Sequence, residues 1–229
     1  MGAESSIPVT HLRLFLHDVN NELFAASGNL QLHDLQRGKP EAEKTLLSVR
    51  QAADELQAIL AELSDYGSWC ADGITVQTAP VDLADVIQTG LTRAATSLAR
   101  FRKTQRWERP PGPIRVTADA QLTARAVHAL VRACLWRGAV GDQVPVTIGQ
   151  EAGLGVVTVE DRGTAIPADL LATIFTVEGI LECKKRGVPP GRPTALLFAR
   201  MAAESVGGKC WARSEGGAMR WSIGLPLAT

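Results

Sequence analysis

The sequence predicts an α+β protein: an N-terminal helical hairpin that forms a dimeric four-helix bundle, followed by an α/β sandwich. Three observations predict it. Two apolar stripes with helical spacing run through residues 8–36 and 41–68. A four-residue turn, "RGKP" at 37–40, separates them. Beyond residue 72 the helical period gives way to short strands and helices with glycine-rich turns between them.

In the first stripe Leu12, Leu16, Val19, Leu23, Ala26 and Leu30 alternate steps of four and three, as one face of a helix does. Gly38 can end this helix and Pro40 can start the next. Ala42, Leu46, Val49, Ala53, Leu56, Leu60 and Leu63 then repeat the pattern. Such a hairpin has two apolar sides and little to bury them against. Pairing two hairpins solves that, so a homodimer through residues 8–69 is expected. The hairpin unit is placed at 1–72 and the sandwich at 73–229. Within the sandwich, "ITVQTA" reads as a strand and "VDLADVIQTGLTRAATSLAR" as a helix with Asp82 near its start. "RPPGP" is a loop and "IRVTA" a strand. "DAQLTARAVHALVRACLWRG" is a helix capped by Asp119 and ended by Gly138. "VPVTIGQ" and "GVVTVED" are strands, and "PADLLATIF" is a short helix with Pro167 in its first turn. A helix follows in "RPTALLFARMAAESVGG". "KCWARSE" and "AMRWSIGLP" form a hairpin about "GG".

Composition narrows the class. The 229 residues allow one large domain or two small ones. Lys plus Arg equals Asp plus Glu at 24 each, and a formal charge of zero argues against nucleic acid or anionic membrane as the partner. Cys70, Cys134, Cys183 and Cys210 lie far apart with no CxxC or CxxH pair, so free thiols are expected rather than a metal site. No apolar run approaches the roughly 20 residues that span a bilayer. "MGAESSIPVTHLR" lacks a signal-peptide pattern. Gly2 with Ser6 superficially fits a myristoylation pattern and is set aside. A soluble, cytoplasmic protein is the expectation.

The chemistry-bearing stretch is "HDVNNEL", where His17 is followed by Asp18 and, one helical turn on, by Asn21. His17 lies about 100° around the helix from Leu16 of the stripe. An exposed imidazole can use one nitrogen as a nucleophile towards phosphorus. The other then needs an acceptor to fix the tautomer, and Asp18 can supply it. The same three residues also suit a solvated polar helix face. His33, again followed by Asp, sits near the hairpin loop and reads as a surface residue.

In this order of parts, almost the whole chain resembles the catalytic core of sensor histidine kinases. "HDVNNEL" resembles the family's phosphoacceptor box. "VTVEDRGTAIPADLLATIF" resembles the box that sets an Asp on adenine. "SVGGKCWARSEGGAMRWSIGLP" resembles the end of the ATPase domain shared with gyrase and Hsp90-type ATPases. The resemblance implies a sandwich of the histidine-kinase ATPase type. It also implies a phosphoacceptor role for His17, with Asp18 beside it, and a water-positioning role for Asn21. Glu22 stands where the family often has Pro.

The nucleotide boxes depart from the family pattern. The metal-binding Asn falls at Arg132 in "HALVRA", a side chain with donors only, which cannot ligate Mg²⁺ and can contact a phosphate or an acidic neighbour instead. Asp161 and Gly163 remain, but the next glycine is Ala165. "GRPTAL" keeps Gly191 alone, and Pro193 has no N–H for a phosphate. Asp161, Gly163 and Gly191 are thus candidate remnants of an ATP site, under a lid at 176–190 whose "KKR" is either phosphate-binding or a solvated charge run. No bound cofactor and no metal are expected; ATP with Mg²⁺ would enter only for an active kinase. The expected function is histidine phosphotransfer, with His17 exchanging phosphate with the aspartate of a response-regulator receiver domain. A divergent active kinase, a receiver phosphatase using Asn21 and a scaffold without chemistry are the alternatives.

Overall fold

A computed structural model describes residues 7–228; the Gly2 and Ser6 pattern lies outside them. Helix α1 (Val9–Leu35) and helix α2 (Glu41–Ala71) form the hairpin. Gly38 sits in the connecting turn at φ +82°, a conformation a glycine adopts without steric cost.

After the hairpin come β1 (Ala79–Asp82), α3 (Leu83–Arg100), β2 (Thr104–Trp107), β3 (Arg115–Ala118) and α4 (Ala120–Leu135). Next are β4 (Gln143–Glu151) and β5 (Leu154–Asp161), a 3₁₀ turn at Ala168–Leu170, and α5 (Val177–Lys185). Helix α6 (Pro193–Glu204), β6 (Lys209–Glu215) and β7 (Ala218–Pro226) complete the chain. Five strands form one sheet in the order β2-β4-β5-β7-β6, antiparallel except for the β2–β4 pair. Strands β1 and β3 form a separate antiparallel pair. Helices α3, α4 and α6 pack together over the five-stranded sheet. One apolar core, with Trp221, Phe198, Leu130 and Ile87 fully buried, joins the two layers. The fold class expected from the sequence, a helical hairpin followed by an α/β sandwich, is the one observed.

Two helix starts are set by their capping aspartates. Asp82 accepts from the Ala84 N–H at 3.0 Å. Asp119 accepts from the Gln121 and Leu122 N–H groups, each at 3.0 Å, and through its other oxygen from Gln77 N–H at 2.9 Å. These bonds satisfy donors that the first turn leaves open.

The structure corrects several elements. The first strand is Ala79–Asp82 rather than 74–79, because the partner in β3 pairs Ala79 with Ala118. Pro80 is tolerated because the pair has only two strands, both edges. Strand β2 escaped notice because its "TQRW" is largely exposed and lacks apolar alternation. "PADLLATIF" makes only a 3₁₀ turn followed by further turns. The expected lid carries a regular helix, α5, capped by Thr176 Oγ1 accepting from Gly179 N–H at 3.2 Å.

Apart from Ala42, the hairpin buries a different stripe from the one the leucines mark. Its buried residues are Leu14, Phe15, Asp18 and Glu22 on α1, and Ala42, Thr45, Ala52, Glu55, Ile59, Glu62 and Tyr66 on α2. Phe15 and Ile59 are fully buried within the core shared with the sandwich, and each such side chain removed from water is worth about 1.5–3 kcal/mol. Leu16, Leu23 and Leu30 of the expected seam remain about half exposed.

Candidate functional site

His17 projects from the third turn of α1 with its side chain 56 % exposed. Its Nδ1 lies 3.2 Å from Asp18 Oδ1 and 3.3 Å from Asn21 Nδ2. Nδ1 can serve only one of them as a hydrogen bond: protonated, it donates to the Asp18 carboxylate and Nε2 carries the lone pair; deprotonated, it accepts from the Asn21 amide. Asp18 is itself held: Thr194 Oγ1 donates to its Oδ2 at 2.8 Å, and the Thr194 N–H lies 3.4 Å from the same oxygen. Thr194 is in the first turn of α6, so the residue after His17 supplies the negative charge that a helix N-terminus favours.

The neighbouring turn of α1 is tied down as firmly. Glu22 is buried; it accepts from Arg192 Nη2 at 2.5 Å and from Arg100 Nη1 at 2.7 Å. On α2, Glu55 accepts from Arg132 Nε at 2.8 Å and from Ser97 Oγ at 2.5 Å. Glu62 accepts from Arg132 Nη1. Asp65 pairs with Arg125 at 2.6 Å. Carboxylates of the hairpin therefore meet arginines of the sandwich along one seam. Burial alone would push the Glu55 carboxyl up, but Arg132 and Arg192, with the Ser97 hydroxyl, hold it at about 2. For Glu62 burial prevails over Arg132 and the carboxyl is raised; its Oε2 has no hydrogen-bond partner. Burial beside Arg132 pushes His128 down to about 3 and keeps it neutral.

His17, Asp18 and Asn21 share a cleft of about 140 Å³ with Trp136, Lys184, Gly191, Arg192 and Pro193. Gly191 has φ +89°, and a Cβ there would collide with the Ala133 carbonyl oxygen. The structure thus brings one of the three candidate nucleotide residues to the histidine.

Asp161 and Gly163 surround Arg137, which Gly191 also borders: a Cβ at Gly191 would stand 3.3 Å from Arg137 Cδ. That arginine is fully buried. Its Nε donates to both Asp161 oxygens, at 3.2 and 3.0 Å, and its Nη1 and Nη2 donate to the carbonyls of Pro189 and Thr164. Its guanidinium lies 5.2 Å from the Trp221 ring centroid. Trp221 Nε1 also donates to Asp161, at 2.6 Å, as does the Gly163 N–H at 2.7 Å. A Cβ at Gly163 would stand 2.7 Å from Arg137 Cβ. Ala165 is not in the positive-φ region, which among non-glycine described residues holds Arg102 and Ala152 only.

Arg137, Arg192, Thr194, Glu55 and Glu62 were not singled out from the sequence. The signal was present on α2: Ala52, Glu55, Ile59, Glu62 and Tyr66 step by three and four. Two carboxylates inside such a stripe mark a face that buries charge and therefore needs cations opposite.

The fold defined by this hairpin and sandwich is that of histidine-kinase catalytic cores. Acinetobacter baumannii histidine kinase AdeS matches with a TM-score of 0.62 at 14 % identity, over 93 % of this chain and 98 % of AdeS. Full-length ShkA, solved in complex with AMPPNP, gives 0.62 at 16 % identity over 95 % of this chain, which spans 46 % of ShkA. The catalytic domain of histidine kinase ThkA gives 0.51 at 17 % identity, over 66 % of this chain and 97 % of that one. No family model and no curated protein matches the chain.

Proposed function

We propose that the chain is a two-component signalling protein of the histidine-phosphotransferase kind. His17 takes phosphate from the aspartate of a response-regulator receiver and returns it to another. The observation that carries this reading is the contrast between its two ends. His17 is exposed, while the residues that would hold Mg-ATP have their partners inside the chain. Arg132, at the metal position, faces Glu55 and Glu62. Arg137 lies on the Asp161 carboxylate that a base would need. Asp18 sits at the α6 start, where a phosphate would sit. These residues do not fit Mg-ATP, and no step is assigned to it.

The chemistry asked of the chain is small. Phosphoryl transfer depends mainly on positioning and charge, and the receiver brings its own metal and acyl phosphate. Asp18 orients the imidazole; Nε2 supplies the electron pair. The half-exposed leucines of α1 support a homodimer, in which a second hairpin covers them. Among the described residues no helix is long and apolar enough to cross a membrane, and the reading places the protein in the cytoplasm.

The test follows label from a phosphorylated receiver. Transfer to the wild type, and none to His17→Ala, is the expected result. Release of the label as free phosphate, lost in Asn21→Ala, would instead make the protein a receiver phosphatase, since the Asn21 amide is placed beside the reacting ring.

A further inference from the structure

The cleft at His17 holds a cation without a partner. Lys184, in the last turn of α5, lines it. Its neighbours are paired: Lys185 with Glu182, and Arg186 with both Glu182 and Asp169. No carboxylate of the described residues reaches Lys184 itself within ion-pair distance. Arg192, which lines the same cleft, is 4 % exposed, and its Nη1 has no hydrogen-bond partner. That nitrogen lies 3.6 Å from Glu55 Oε2, beyond hydrogen-bond distance. The half-exposed Trp136 ring lies under the Arg192 guanidinium, 5.1 Å from its centroid.

An electrostatic problem gives these cations a use. Asp18 is the acceptor for the Nδ1 proton in the tautomer that leaves Nε2 as the nucleophile, and its carboxylate sits beside the same ring. A phosphoryl group arriving on Nε2 brings about two further negative charges. Without a cation in the cleft, like charges would oppose the transfer. The Asp18 carboxylate is the one anion among the lining side chains, and it is already engaged by His17 and Thr194.

We propose that Lys184, assisted by Arg192, binds the phosphoryl group while it is on His17. The sandwich would then contribute directly to the histidine's chemistry, with a cation rather than a nucleotide. The proposal rests on the reading of His17 as phosphoacceptor. It is tested with a donor too small to need a receiver surface.

Phosphoramidate is such a donor. His17 Nε2 supplies the electron pair for the new P–N bond, the P–N bond of the donor breaks, and ammonia leaves with that pair. The product keeps its proton on Nδ1, donated to the Asp18 carboxylate. Labelling of His17 is followed by ³¹P NMR in wild type, Lys184→Arg, Lys184→Ala and Lys184→Glu. Lys184 is exposed, so melting temperatures should match. The expected labelling rate falls about tenfold in Lys184→Ala and further in Lys184→Glu, with Lys184→Arg near wild type. The wild-type advantage should shrink as ionic strength rises. Equal rates in all four proteins overturn the proposal, as does a wild-type His17 that takes no label. A defect seen with a phosphorylated receiver and absent with phosphoramidate also overturns it, and assigns Lys184 to receiver docking. Conversely, a Lys184 effect with phosphoramidate alongside no transfer from any receiver removes the relay and leaves the phosphoryl site.

Discussion

The Arg137 guanidinium meets a carboxylate, two backbone carbonyls and an indole face, all inside the core. Removing it leaves Asp161 buried with its charge uncompensated, so Arg137→Ala should lose about 3–5 kcal/mol in urea unfolding. Arg137→Lys should recover only part, because an ammonium cannot span the carboxylate and both carbonyls. Glu55 and Glu62 share Arg132 yet behave oppositely. The depressed Glu55 carboxyl stabilises the fold above the ordinary carboxylate range, and that contribution is lost as pH falls from 4.5 towards about 2. Its size is on the order of 3 kcal/mol. The raised Glu62 carboxyl has the other sign: ionising it in the fold is unfavourable, so it detracts from stability once pH exceeds its unfolded value. At pH 7 Glu55→Gln should therefore cost about 3 kcal/mol and Glu62→Gln under about 1. The Glu55→Gln deficit should narrow in unfolding curves taken near pH 3.

At the scale of elements, α1 and α2 each carry two stripes with different chemistry. The leucine stripe was legible from the sequence because apolar residues at helical spacing have few other readings. The stripe facing the sandwich was not, because Asp18, Glu22, Glu55 and Glu62 look solvent-facing until their arginines are placed opposite. Long-range pairing of this kind, such as Arg192 with Glu22, leaves no local signature. The same contrast holds in the sandwich. Capped helices α3 and α4 stand out by Asp82 and Asp119, whereas β2 depends on β4, a partner that the chain meets only after folding. For the candidate site, the spacing of His17, Asp18 and Asn21 could be read locally. That Asp161 would meet Arg137 across the fold could not. The leucine stripe makes its own prediction. Leu23→Glu combined with Leu30→Glu should turn a dimer into a monomer by light scattering while leaving the circular dichroism of the helices intact; a wild type already monomeric at micromolar concentration would contradict it.

Across the whole molecule, buried ion pairs and a shared apolar core join the hairpin to the sandwich. Arg132 is held by Glu55, Arg137 by Asp161, and the Asp18 carboxylate of α1 by Thr194 at the start of α6. This arrangement holds α6 against the turn of α1 that carries His17, whose exposed side chain lines the cleft. A relay that takes its phosphate from other proteins needs that geometry and no ATP. The most direct measurement offers the purified protein two labelled donors in parallel, Mg-ATP and a phosphorylated receiver, and reads label on His17. The account predicts label from the receiver, none from Mg-ATP, and none from either in His17→Ala. Label on His17 from Mg-ATP alone would contradict it.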